Sequence, residues 1–320
     1  MDIAAKIASE LQIRNNQAEA AIKLIDEGNT IPFISRYRKE ATGALNDEQL
    51  RKLFERLNYL RNLEDRKSTV LSSIEEQGKL TAELKKQIES AETMVAVEDL
   101  YRPYKQKKRT RATIAKERGL SGLASIISLQ MTKKALEDEA KSYIDAEKDV
   151  PDTDPAISGA LDIIAEEISD SADYRTKIRS LTFKDGNLTS VAKDPEAESV
   201  YEMYYNFSSP VSKLTGYRVL AINRGEKEKV LTVKLEAPVD KILAYLEKQV
   251  IVRDNPNTTP YLKTAVADAY SRLIAPSIER EIRNELTENA EDNAITVFGK
   301  NLEQLLMQPP IVGKTVLGWD

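Results

Sequence analysis

The sequence predicts a mainly α fold, a multi-helical assembly of long helices with one small β element. Three observations predict it. Glycine and proline are scarce, 12 of each in 320 residues, whereas the pair averages about 12% of residues, so turns are few and elements long. Charged residues make up 31% of the chain, mostly Glu, Lys and Arg at helical spacing. Residues 46–77 contain neither Gly nor Pro.

Residues 2–14 and 16–27 read as two short amphipathic helices, the second closed by Gly28 at a left-handed cap position. Asn29-Thr30-Ile31-Pro32 then turns the chain into the basic stretch FISRYRKEATG. Asn46 with Gln49 resembles a capping box. The helix it opens runs to Gly78, on the order of 45 Å. Leu50, Leu53, Leu57, Leu60, Leu71 and Ile74 follow heptad spacing, interrupted where Glu64 and Lys67 occupy the seam. That is too few clean heptads for a self-sufficient coiled coil, so a long arm packed at each end is expected.

Further helices are expected at 81–90, 92–102, 110–118, 121–130 and 133–144. Asp154-Pro155 supplies an N-cap and a first-turn Pro for a helix through about 169. LTFKDGNLTSVA then reads as a β-hairpin, two alternating runs around Asp185-Gly186. Asp194-Pro195 is expected to start a helix bearing Tyr201, Tyr204 and Tyr205. A helix follows Gly216 to about 228, with a strand at 230–235. Thr259-Pro260 opens a helical run to about 306, broken or kinked at Pro276. Pro309-Pro310 ends it, and KTVLGWD reads as the first strand of a further domain. The expected division is a helical region with the arm and a basic segment (1–195), a second helical region (196–310) and the start of another domain (311–320).

Composition excludes much chemistry. The chain has no Cys and no His, which removes Ser-His-Asp and Cys-His nucleophilic sites, disulfides and structural zinc. No run of about 18 apolar residues and no signal-like segment follow Met1, so a soluble, cytoplasmic protein without membrane contact is expected.

The net charge of −5 hides an asymmetry. Residues 101–118 hold Arg102, Lys105, Lys107, Lys108, Arg109, Arg111, Lys116 and Arg118 against Glu117, a net +7. Residues 137–173 hold thirteen acids and two lysines, a net −11. Two readings are open: the segments pair with one another as solvated faces, or 101–118 grips phosphates while Tyr101 and Tyr104 stack on bases. Arg36, Arg38 and Lys39, and Arg218 with Arg224 and Lys227, could extend such a surface.

Other motifs lead nowhere. Gly313-Lys314-Thr315 resembles the end of a P-loop, but position 308 is Gln where a Gly is required. Asp162 and Glu166 lie one helical turn apart, a spacing that could hold a cation, but without a partner motif on another helix an exposed acidic face is expected instead. Asn187, Asn206 and Asn257 match the glycosylation pattern by chance. Asp320, an acid ending a strand after VLGW, is placed like the first carboxylate of an RNase H-type site, but one ligand assembles no two-metal mechanism. No catalytic residue, metal or cofactor is therefore expected.

Several stretches resemble the Tex family, bacterial transcription accessory proteins related to a eukaryotic transcription elongation factor. They are GNTIPFISRYRKEATGAL (28–45), VEDLYRPYKQKKRTRATIAKERGL (97–120), ALDIIAEEISD (160–170), YRVLAINRGEKEKVL (217–231), RLIAPSIEREIRNELTENAEDNAI (272–295) and NLEQLLMQPPIVGKTVLGWD (301–320). The resemblance implies the family's N-terminal helical region with a helix-turn-helix-like unit, ending where an RNase H-like domain begins. In the family a helix-hairpin-helix region and an OB-fold RNA-binding domain follow. It is not known as an enzyme family; its RNase H-like domain is considered degenerate, and nucleic-acid binding is attributed chiefly to the OB-fold. The family usually has His before the Arg of RVLAINRGE, where this chain has Tyr217, which suggests a packing position.

Together these point first to a non-catalytic scaffold binding RNA or DNA through basic patches, with little sequence choice. The alternative is a module docking onto RNA polymerase or ribosome components through its helical arm and acidic face.

Overall fold

The computed structural model describes residues 2–309, 312–315 and 317. The chain forms two compact units, residues 1–106 and 107–320.

The first unit is helical throughout: α1 (Ile3–Leu11), α2 (Asn15–Asp26), α3 (Ile31–Tyr37), α4 (Asp47–Glu76), α5 (Ala82–Ser90) and α6 (Met94–Tyr101), then a 3-10 turn, Arg102–Tyr104. The capping box that opens α4 is present: Gln49 N–H donates to Asn46 Oδ1 at 2.8 Å and Asn46 N–H to Gln49 Oε1 at 3.1 Å. Helix α4 is the spine of the unit: the long helix expected to pack at each end packs against all of the other five helices, with its buried stripe running its whole length. Its buried stripe runs Leu50, Leu53, Leu57, Leu60, Leu63, Lys67, Val70 and Ile74. Lys67 stays in the seam because its ammonium is satisfied there, donating to Glu64 and to the Glu89 carbonyl, both at 2.9 Å.

In the second unit the chain continues as α7 (Arg111–Glu117), α8 (Ser121–Leu129), α9 (Leu136–Ala140), α10 (Thr153–Asp170) and α11 (Ala172–Asp185). Strand β1 (Asn187–Ala192), β2 (Asn206–Pro210), α12 (Gly216–Lys227), β3 (Leu231–Glu236) and α13 (Val239–Val250) follow. Then come α14 (Thr259–Asp268), a π-helical segment (Ala269–Ile274) and α15 (Ala275–Leu306). Helix α10 is the hub. It buries Ala156, Ile157, Ala160, Ile163, Ile164, Ala165 and Ile168, more than one face, and α7, α8, α9, α11 and α14 surround it.

The β element differs from the hairpin expected around Asp185-Gly186. Residues 181–184 are the last turn of α11, whose N-cap Ser171 accepts from Tyr174 N–H. Gly186 closes that helix, donating to the Thr182 carbonyl at 2.9 Å. Strand β1 instead pairs antiparallel with both β2 and β3, in the order β2-β1-β3. The partners lie up to 49 residues away (Asn187 with Glu236), a separation that local turn chemistry cannot reveal.

Two further expectations are corrected. Asp194-Pro195 starts no helix, because Asp194 accepts from Glu196 N–H and Ser199 from Tyr201 N–H, side-chain turns that compete with helix formation. Only a 3-10 turn, Glu202–Tyr204, forms there; Tyr201 and Tyr204 pack with Leu188, Ile222, Leu231 and Val233 under the sheet. The helix expected at 133–144 shrinks to α9 and a 3-10 turn, Lys141–Tyr143.

The helical run from Thr259 is continuous but widens to π-helix just before Pro276. Proline lacks the N–H for the preceding turn and clashes with its carbonyl, and the wider turn accommodates both. The division expected at 195/196 falls between β1 and β2, strands that pair within the second unit. The expected closing strand and Asp320 rest on residues 316 and 318–320, which lie outside the described residues.

Candidate nucleic-acid interface

The basic segment 101–118 is shared between the two units. In the first, Tyr101 ends α6 with its hydroxyl 3.0 Å from Ser73 Oγ and the Arg66 guanidinium 5.4 Å from its ring centroid. Arg66 in turn donates to Glu98 at 2.6 Å. Tyr104 packs against the core of the unit, and its carbonyl accepts from Gln77. Both expected stacking rings are thus half-buried and engaged. Arg102 is half-buried as well, whereas Lys105 is exposed, 3.9 Å from Glu98.

In the second unit the ends of the segment are pinned. Lys107 Nζ lies 2.5 Å from Asp170 and 3.5 Å from Glu166, at the C-terminal end of α10. Arg118 pairs with Asp149. Three acids of the 137–173 run are therefore spent on the basic segment, so the two sequences do meet. Between the pins, Lys108, Arg109, Arg111 and Lys116 stay exposed. Arg109 is 3.6 Å from Glu117, both well exposed, a pair of little energetic weight. Lys108, Arg111 and Lys116 form no ion pair among the described residues. Lys116, counted in the same basic run, stands on this surface as well.

Asp162 and Glu166 do not face a common cation. Asp162 accepts from Arg272 at 2.7 Å, and Glu166 faces Lys107. Burial raises the Asp162 carboxyl pKa against the pull of Arg272 and Arg111. Among the described residues no group of three or more acids is placed to hold a metal ion.

The smaller clusters are both superficial. Arg36, Arg38 and Lys39 are exposed around the C-terminal end of α3, with Arg38 5.1 Å from the Phe33 ring centroid. Tyr37, 65% exposed between them, offers the open aromatic face that Tyr101 does not. Sequence reasoning passed over it although it sits between two arginines. On α12, Arg224 donates to Glu228 at 3.0 Å and Lys227 is exposed. Arg218 lies over the rings of Phe207 and Tyr217, 5.8 and 5.7 Å from their centroids. Tyr217 is 64% exposed, which corrects the packing role expected there. Hydrogen bonding to Thr215 and Arg218 lowers its hydroxyl pKa.

The fold and this surface define a class: a helical scaffold with short basic patches and a small accessory sheet. Comparison with known proteins narrows it. The family described as Tex-like protein N-terminal domain matches residues 1–75, and the family described as Tex central region-like matches residues 132–298. An uncharacterised Bacillus subtilis protein, YdcI, is 48% identical over 318 residues, 98% of this chain and 44% of the relative. The transcriptional accessory protein Tex of Neisseria gonorrhoeae is 40% identical, covering all of this chain and 43% of that protein. A human S1 RNA-binding domain-containing protein 1 is 31% identical over 93% of this chain and 31% of its own length. The chain belongs to the Tex family. It spans less than half the length of these relatives. No helix among the described residues is long and apolar enough to cross a membrane.

Proposed function

We propose that this chain is a cytoplasmic, non-catalytic scaffold that associates with RNA or DNA in transcription. The reading is supported by family membership and by relatives named for transcription and for an S1 RNA-binding domain. One observation carries it: Lys107 and Arg118 are fixed by Asp170 and Asp149, which leaves Lys108, Arg109, Arg111 and Lys116 presented between them. Exposed cations, unpaired or in a weak surface pair as Arg109 is, neutralise phosphates and release counterions, giving binding with little base choice. Arg36, Arg38, Lys39 and Tyr37 offer a second contact of the same kind; Arg218, half-buried, Arg224, paired with Glu228, and exposed Lys227 offer a weaker third. A helix-turn-helix-like unit is best matched by α7 and α8, joined through Gly119 at φ +87°. The exposed side chains of α8 carry no charge, so the cations of the unit lie on and before α7. Fluorescence anisotropy with labelled single- and double-stranded oligomers at low salt tests the proposal. No binding to either would overturn it.

A second reading, docking onto RNA polymerase or ribosomal components, is favoured by a different feature. Ile295, Phe298, Leu302 and Leu305 form an exposed apolar stripe at heptad spacing on α15. Co-purification of purified polymerase, lost when Ile295 and Phe298 become Asp, would support it. Retained co-purification would refute the role of the stripe.

A further inference from the structure

A cavity of about 620 Å³ lies within the second unit, between α11, the β3–α13 connection, α13 and the junction of α14 with α15. Small-molecule sites typically measure roughly 300–1,000 Å³. Its walls are chiefly apolar, with Ile178, Leu235, Leu243 and Ile278 prominent. Its polar lining residues are Glu236, Glu279, Thr182, Tyr270 and Ser271, and no Lys or Arg lines it.

Two of these groups keep free acceptor capacity. Tyr270 is 6% exposed as a residue, and its hydroxyl makes no hydrogen bond among the described residues but is not among the buried polar atoms left without a partner, so the oxygen is open to solvent. The Glu279 carboxylate accepts one long bond, from Leu235 N–H at 3.3 Å, and pairs with no cation among the described residues. The two sit within electrostatic reach: burial first and then the charge of Glu279 raise the Tyr270 hydroxyl pKa. Tyr270 and Ser271 both belong to the π-helical segment, a feature frequent at functional sites.

We propose that this cavity binds a small organic cation, its apolar body against Ile178, Leu243 and Ile278 and its ammonium between the Glu279 carboxylate and the Tyr270 hydroxyl oxygen. Both oxygens can accept, and the cation supplies donors and the missing counter-charge together. A neutral ligand would leave the Glu279 charge uncompensated, and an anion would add to it. The site is independent of the basic surfaces assigned to phosphates.

The test titrates the 320-residue chain with three probes of matched shape: phenethylammonium, phenethyl alcohol and 3-phenylpropionate. Methyl resonances of Ile178 and Ile278 report occupancy. The amine is expected to bind with a Kd of about 1 mM or tighter, the alcohol about tenfold more weakly, and the carboxylate not at all. Glu279→Gln keeps an acceptor for Leu235 N–H and should weaken the amine about tenfold while leaving the alcohol unchanged. Val239, 43% exposed in the cavity wall, can be enlarged without disturbing the core, and Val239→Trp should block every probe. The proposal is overturned if no probe shifts these resonances below about 10 mM. Equal binding of alcohol and amine, or shifts that survive Val239→Trp, would overturn it too.

Discussion

Lys107 reaches across the second unit to Asp170, Nζ to Oδ2 at 2.5 Å, although the two are 63 residues apart. The side chains are 24% and 13% exposed, and Glu166 stands 3.5 Å from the same ammonium. A lysine so placed is a structural cation inside a basic run. Lys107→Ala would remove the ammonium that the Asp170 and Glu166 carboxylates both face. A loss of about 1–2 kcal/mol is expected by chemical denaturation, against no more than about 0.5 kcal/mol for exposed Lys108→Ala. Equal losses would show that the pair is not holding the segment.

Arg175 is wholly buried and donates to Ser277 Oγ at 2.7 Å and Glu281 at 2.9 Å. Arg179 shares the same carboxylate, 2.6 Å from its Nη2. The cluster ties α11 to α15. Arg175→Met removes a buried charge whose partner remains, so the expected cost is about 3 kcal/mol. A denaturation midpoint unchanged from the parent would refute this.

Gly186 is required by closeness, at an ordinary φ of −83°. A Cβ there would lie 2.4 Å from the Thr182 carbonyl oxygen and 3.2 Å from that of Glu236. The backbone of α11 and that of β3 would have to separate. Gly186→Ala should cost about 1–3 kcal/mol, whereas Gly78→Ala, where no atom lies within 4 Å of the added carbon, should cost less despite its φ of +67°. The reverse order in thermal denaturation would contradict the packing.

Tyr261 donates to Glu137 at 2.5 Å, and this bond, then burial, raises its hydroxyl from the ordinary 10.0 to about 12. Its folded value exceeds its unfolded one, so the stabilisation is present below about pH 10 and fades as pH rises toward 12. Glu137 is lowered by the same bond, so its share is present above its unfolded value of about 4.3 and lost as pH falls. In an ultraviolet titration, Tyr261→Phe should remove a tyrosine ionising near 12. The stability gap between parent and variant should be widest between those limits. A gap that widens in alkali would reverse the assigned sign.

The helices that sequence reasoning found are those with their own signals, such as the Asn46 capping box and the Leu50–Leu60 stripe. What it missed depends on distant partners. The hairpin around Asp185-Gly186 failed because β1 pairs with residues up to 49 positions away. Lys67 looked like a break in the seam because the carbonyl of Glu89 that satisfies it comes from another helix. Charge counting located the 101–118 surface but could not separate Lys107 and Arg118, held by Asp170 and Asp149, from Lys108 and Arg111, which are not. Tyr101 carried the aromatic signal for stacking, and only the fold showed Arg66 over its ring. Tyr270 and Glu279 gave no signal at all, since a cavity has no sequence pattern.

The salt dependence of oligonucleotide binding by the parent and by Lys108→Glu/Arg109→Glu/Arg111→Glu tests the central claim most directly. With Lys116 the surface offers four cations, so the log–log slope should be about −3 to −3.5 for the parent. It should become markedly shallower in the variant, while Lys107→Met, altered only at a pinned cation, keeps a slope near that of the parent. An unchanged slope and affinity in the triple variant would contradict the assignment of this surface to phosphate binding.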